Sequence, residues 1–169
     1  MTLVDNNILS SLAKIDRLGL LDSVFESVTT TPAVLDELHR DAVAGYEFVD
    51  RIDDCKVYNG GWLDIHSPTQ AELERTEEIV DATLSFTDAE CIAIAEHRDE
   101  RLLTDDGHVG EIATQRGVSV WDLSLLIEAC ILRERIKDEQ QLDSLLAALR
   151  DRDGYEFSAA DRERLYERL

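Results

Sequence analysis

The chain has 169 residues and a net charge of −20. That length fits one domain with room for a buried core, and a hydrophobic fraction of 44% is ordinary for a globular protein. No apolar run approaches the roughly 20 residues that a bilayer span needs, and the N-terminus lacks a basic, apolar leader. The expected compartment is therefore the cytoplasm, with no membrane partner.

The acids are dispersed along the chain rather than gathered in a tail, and the cations are nearly all arginine, with lysine only at Lys14, Lys56 and Lys137. Such a surface suits concentrated salt, where screening acts within a few ångströms, and it predicts a halophilic source. The same charge argues against a general DNA or RNA binder, although salt weakens that argument and a metal ion can bridge acids to phosphates. Cys55, Cys91 and Cys130 are odd in number and widely spaced, so they read as reduced apolar residues. His39, His66, His97 and His108 show no metal-ligand spacing.

Leu3-Val4 ends a short buried strand at Asp5, and Ile8, Leu9, Leu12, Ala13 and Ile15 give the following segment a helical apolar face from about Asn7. "LGLLDSVF" predicts a turn and short helix, and the β-branched "SVTTT" a second strand. Thr31 is placed to cap a helix whose first residue is Pro32 and which carries Glu37 near its end. "AVAGYEFVDRIDD" predicts a further helix, "WLDIH" an extended piece, and "TQAELERTEEIVDA" an exposed helix with a solvated charge run.

In "LSFTDAECIAIAEHRDERLLTDD", Thr87 is the expected cap of a helix with Asp88 and Glu90 in its first turn. "RLLTDD" is a strand ending at Thr104-Asp105-Asp106, followed by a helix closed by Gly117. "VSVW" is a last strand, "DLSLLIEACILRERI" a strongly apolar helix, and two more helices follow. Strands alternating with helices predict a three-layer α/β/α sandwich with a mostly parallel central sheet. The expected organisation is a single domain over residues 1–169, with C-terminal helices from about 138 onward.

Sites in open parallel sheets form at the carboxyl ends of strands. Asp5, Asp105 and Asp106 end strands there, and Asp88 opens a helix near the same edge. Glu37 is not delivered to that edge by the pattern alone. Carboxylates gathered in one cleft repel unless a cation lies between them, and hard oxygen ligands suit Mg²⁺ or Mn²⁺. One or two such ions, about 3.5–4 Å apart if two, activate water and stabilise the leaving oxygen of a phosphodiester.

These motifs resemble the PIN domain family, and its VapC-like toxin ribonuclease subgroup in particular. The resemblant segments are "VDNNIL" with Asp5, "TPAVLDEL" with Glu37, "FTDAECIAIAEH" with Asp88, and "LLTDD" with Thr104 and Asp106. The resemblance covers about residues 1–150, and "LDSLLAALRDRDGYEFSAADRERL" is similar to the C-terminal helices of that subgroup. It implies a Mg²⁺- or Mn²⁺-dependent endoribonuclease in which Asp5, Glu37, Asp88 and Asp106 are catalytic acids, and the acidic composition points to a halophilic archaeon as its source. Asp5, Asp88 and Asp106 would hold metal, and the doubled aspartate lets Asp105 share or take the fourth position. Asn7 and Thr104 would orient ligands or waters.

Asn6 departs from the usual Thr or Ser, and Asp122 adds an acid where the subgroup often has Gly-Thr. The implied partners are an RNA substrate, a second copy in a homodimer and an antitoxin covering the acid cleft. No basic cluster marks an RNA path; Arg40, Arg98, Arg101 and Arg116 are the candidates for phosphate contacts. A PIN-like RNA- or protein-binding module with weak or no catalysis is the alternative. A haloacid-dehalogenase-like reading fails because Asn7 occupies the position of its second aspartate.

Overall fold

A computed structural model describes residues 1–41 and 47–169. Strand β1 (Thr2–Val4) is buried along its whole length, as expected of a strand covered on both faces. It leads into α1 (Asn6–Lys14), whose Ile8, Leu9 and Leu12 are fully buried. At roughly 1.5–3 kcal/mol per buried side chain, this face is enough to seat the helix on the sheet. Then come α2 (Gly19–Val24), β2 (Val28–Thr30) and α3 (Pro32–Asp41), with the Val34 N–H donating to the Thr31 hydroxyl at 3.2 Å. Thr31 is thus the cap expected from the sequence.

The helix expected over residues 42–54 lies partly outside the described residues; its described part is α4 (Phe48–Asp54). A short 3₁₀ turn and Gly60 in a left-handed conformation lead to β3 (Leu63–Ile65). Next are α5 (Gln70–Ile79), α6 (Phe86–Arg98), β4 (Arg101–Leu103), α7 (Gly107–Gln115), β5 (Val120–Trp121) and α8 (Leu123–Leu132). Helix α9 (Glu139–Ala148) ends in a π-helical turn, Leu149–Asp153, before α10 (Ala159–Glu167).

The sheet has the order β3-β2-β1-β4-β5, and every pairing is parallel. The architecture is the three-layer α/β/α sandwich expected from the alternation of strands and helices. Helices α5, α6 and α7 pack in series, while α1 packs on α3 and α4, and α8 on α2 and α10. All five strands present their carboxyl ends at one edge, with β1 and β4 as central neighbours.

Two local expectations give way to tertiary context. Ser85, not Thr87, caps α6: its hydroxyl accepts the Asp88 N–H at 3.1 Å. The charge run of α5 is not wholly solvated, because Glu72 is completely buried. It closes a capping box with Thr69 and accepts two hydrogen bonds from Arg98, at 2.6 and 2.9 Å.

Candidate active site

Asp5 follows β1 directly. Its backbone N–H donates to the Leu103 carbonyl at 3.1 Å, which locks the end of β1 to the end of β4. Its carboxylate caps α1 by accepting the Ile8 N–H at 2.9 Å. The cap explains the local conformation, but a cap does not need to be buried, and Asp5 is only 4% exposed. Burial pushes its carboxyl up to about 7; bonds from the Ile8 N–H and the Thr104 hydroxyl oppose the shift, while Asp105 and Asp88 add to it.

Thr104 follows β4, and its N–H donates to the Trp121 carbonyl at 2.9 Å, which ties this position to β5. Its hydroxyl accepts the Asp106 N–H at 3.2 Å while bonding to Asp5. The geometry separates the two consecutive aspartates. Asp106 is exposed and caps α7, accepting the N–H groups of His108 and Val109 at 2.9 and 3.1 Å. Asp105 turns inward: one oxygen accepts the Leu123 N–H at 3.0 Å and the Tyr155 hydroxyl at 3.3 Å. Its other oxygen is buried with no hydrogen-bond partner. Burial raises Asp105 to about 6, with Asp122 and Asp153 adding to the shift.

Asp88 lies in the first turn of α6, half-buried, and accepts the Ser85 hydroxyl at 2.7 Å. The buried Cys91 thiol, one turn further on, locates the remaining acid. Its pKa is raised by burial first and then by Asp5, Asp88, Glu90 and Glu37. Glu37, which the sequence pattern could not bring to the edge, therefore shares an electrostatic neighbourhood with Asp5 and Asp88. Asn7 is exposed on the wall of an adjoining cleft of about 270 Å³ that Asp105, Tyr155, Lys14 and Asp153 also line. Asp122 caps α8 through the Leu125 N–H at 2.8 Å.

Several contributors had no readable signal in the sequence. Tyr155 reaches Asp105 across fifty positions of chain. Asp153, in the π-helical turn, accepts the Ser11 hydroxyl at 2.6 Å and Lys14 at 2.7 Å. Glu90 is 3% exposed, with one carboxylate oxygen unpartnered and its pKa raised by burial. The arginines singled out for phosphate contacts are mostly committed elsewhere. Arg98 holds Glu72, Arg116 holds Glu96 at 2.9 Å, and Arg101 stacks 4.1 Å from the Trp121 ring centre at the amino end of β4. Arg40 is exposed and donates to the Asp36 carbonyl.

Among the described residues, no three Asp, Glu, His or Cys groups converge into a ready metal cage. A hard divalent cation does not require one, since Mg²⁺ keeps several waters and takes one or two carboxylates directly. The unpartnered oxygen of Asp105 and the raised carboxyl of Asp5 are donors of the kind such an ion needs. The residues present therefore fit a partly hydrated divalent ion.

An all-parallel α/β/α sandwich with carboxylates gathered at the carboxyl ends of its central strands defines an acid-centred domain. The sequence matches the family model described as DUF3368, a PIN domain, over residues 1–168, and the chain belongs to the PIN domain family. No curated protein matches it in sequence. Solved structures share the fold. A PilT N-terminus domain protein from the hyperthermophilic archaeon Sulfolobus solfataricus P2 superposes with a TM-score of 0.52 at 15% identity, covering 82% of this chain and 97% of that one. Mycobacterium tuberculosis VapC20, a sarcin–ricin loop cleaving toxin, gives 0.52 at 17% identity, covering 66% and 95%. FitAB bound to an IR36 DNA fragment gives 0.53 at 16% identity, covering 72% and 94%.

Proposed function

We propose that the protein is a metal-dependent endoribonuclease whose acid cluster holds Mg²⁺ or Mn²⁺. The observation that carries this reading is the buried Asp5 at the end of β1, locked to the end of β4, where Asp105 keeps one buried carboxylate oxygen without a hydrogen-bond partner. Membership of the PIN family supports a nuclease, and the fold shared with the VapC20 toxin supports RNA as the substrate class. Asp5 and Asp88 are the proposed direct ligands. Asp105, with one buried oxygen unpartnered, shares or takes the fourth position beside Asp106, one of whose oxygens caps α7. Glu37 completes the acid set, Thr104 orients Asp5, and Asn7 faces the substrate side.

A bound divalent ion supplies an activated water and stabilises charge developing on the leaving oxygen of a phosphodiester. The chain's own part is to place the acids, keep Asp5 dry and hold Thr104 against it. An antitoxin covering the acid edge, a homodimer and a cytoplasmic location in a halophilic archaeon belong to the same proposal. No described helix is long and apolar enough to cross a membrane. The strongly negative charge of the chain favours a second reading, a binding module with little catalysis.

The test is cleavage of a mixed structured RNA pool in concentrated KCl with Mg²⁺, Mn²⁺ or EDTA, for the parent, Asp5→Asn and Asp88→Asn. Metal-dependent cleavage lost in both variants is the expected result. A folded parent that binds RNA but cleaves nothing with either metal supports the binding module instead.

A further inference from the structure

At the far end of α1 from Asp5 lies a cleft of about 850 Å³ between the end of α1, the α8–α9 connection and α9. Arg17, Arg135 and Arg152 line it, drawn from three distant stretches of sequence. All three are exposed, and none has a carboxylate partner among the described residues. Arg17 donates to the Asp16 carbonyl at 3.0 Å, so each of the three guanidinium groups keeps its charge free of a carboxylate in a chain with 37 acids and 17 basic residues. The two acids that share the cleft are engaged. Asp138 caps α9 through the Gln141 N–H at 2.8 Å, and Asp16 faces Arg51 at 3.9 Å.

The cleft is chemically mixed. Ile15, Leu20, Ile136 and Leu145 supply apolar surface, and Gln140 and Ser144 add hydrogen-bonding groups. Guanidinium groups bind phosphate through several donors at once, and apolar surface receives unstacked bases. The cleft adjoins the smaller cleft at two points of the chain. Ile15 and Arg152 belong to the larger one, while their chain neighbours Lys14 and Asp153 line the smaller cleft that Asp105 and Asn7 share. The ion pair of Lys14 with Asp153, 2.7 Å, forms the wall between the two.

We infer that Arg17, Arg135 and Arg152 form a phosphate-binding path that leads single-stranded RNA over the Lys14–Asp153 wall to the acid edge. This rests on the ribonuclease reading and names the route by which its substrate enters. It also accounts for RNA binding by so acidic a chain: attraction is confined to one cleft while the remaining surface repels. The adjoining cleft that Asp105 and Asn7 line favours RNA over an acidic peptide as the occupant.

The experiment is fluorescence anisotropy with a short fluorescein-labelled oligouridylate in EDTA, across a KCl series. The parent is compared with the triple variant Arg17→Ala/Arg135→Ala/Arg152→Ala. A control, Arg75→Ala/Arg133→Ala/Arg162→Ala, removes the same charge elsewhere. The cleft variant is expected to lose at least about tenfold in affinity and to lower the slope of log K against log salt by about 2, given ~0.7 per phosphate contact on a single strand. The control is expected to stay within about twofold of the parent.

Unchanged affinity in the cleft variant, an equal loss in the control, a parent that does not bind the oligouridylate, or competition by polyglutamate as strong as by RNA would each overturn the path. Mn²⁺ affinity, read by electron paramagnetic resonance, is expected to be unchanged in the cleft variant. Failure of the nuclease reading shows separately, as RNA cleavage that survives Asp5→Asn.

Discussion

At the carboxyl edge of the sheet Asp5 is buried beside other acids, whereas on the flank Glu72 is buried against Arg98. Both carboxylates are withdrawn from water, and they move in opposite directions. Burial raises Asp5 to about 7, with Asp105 and Asp88 reinforcing the shift. Hydrogen bonds from Arg98 pull Glu72 down to about 2, against its own burial. The two regions separate a structural acid from the proposed site acid by one criterion: whether the fold supplies the cation. At Glu72 the chain carries its own countercharge, with Arg98 also reaching His66 at 2.9 Å and the Ser67 carbonyl at 3.2 Å. At Asp5 the chain supplies two hydrogen bonds and further negative charge. A carboxylate left in that condition is strained unless a cation from solution joins it.

The largest consequence concerns activity. Asp5→Asn preserves the α1 cap, because the amide oxygen can still accept the Ile8 N–H, but removes the charge. RNA cleavage should fall at least about 1000-fold, equivalent to about 4 kcal/mol of barrier. Single-turnover cleavage with saturating Mn²⁺ measures it, and a variant within tenfold of the parent contradicts the role given to Asp5.

The next consequence is thermodynamic. Native Asp5 holds its proton up to about pH 7, while the unfolded chain releases it near the ordinary aspartate value of 3.8. Between those values the native state binds more protons, so stability falls as pH rises. The decline attributable to Asp5 is about 4 kcal/mol without metal, and Asp5→Asn should abolish it. Denaturant unfolding in EDTA at pH 4 and pH 8 reads the difference. Parallel pH profiles for parent and variant would show that Asp5 is not under this tension.

Glu72 provides the opposite sign. Its depressed pKa contributes stability that is present above the ordinary glutamate value of 4.5 and lost as pH falls toward 2. Arg98→Met should leave the fully buried Glu72 carboxylate uncompensated and cost about 3 kcal/mol at pH 7. The cost should shrink in acid, where Glu72 takes up a proton. A loss independent of pH would assign Arg98 a packing role instead.

The smallest effect is expected at the α6 cap. Ser85→Ala removes the acceptor for the Asp88 N–H and the donor to its carboxylate, at a cost of about 1 kcal/mol. Because Ser85 also holds the Asp88 side chain, divalent-ion affinity should drop along with stability. Isothermal titration with Mn²⁺ beside thermal unfolding separates the two effects.

Local chemistry made much of the fold readable. The buried Thr2–Val4 run, the Thr31-Pro32 cap and the apolar face of α1 each depend on neighbours within a turn or two, and each formed as expected. What depended on distant chain was not readable. Thr87 and Ser85 are both competent caps, and the choice lies in how α6 docks. The solvated appearance of α5 hid Glu72, because Arg98 lies twenty-six positions away. Glu37 acts on the buried Cys91 thiol together with Asp5 and Asp88, a long-range proximity that no periodicity encodes. The doubled aspartate was ambiguous because only the partners Leu123 and Tyr155 distinguish Asp105 from Asp106. The three arginines of the large cleft escaped notice for the same reason, since no two of them are close in sequence.

The most direct test of the contrast between the two acids is thermal unfolding at pH 8 in concentrated KCl, with EDTA or with Mn²⁺, for the parent and Asp5→Asn. Mn²⁺ should raise the Tm of the parent, because the ion relieves the buried carboxylate, and should leave the already relieved Asp5→Asn nearly unchanged. An equal rise in both proteins, or none in the parent, would contradict the claim that the carboxyl edge is a site completed by a cation.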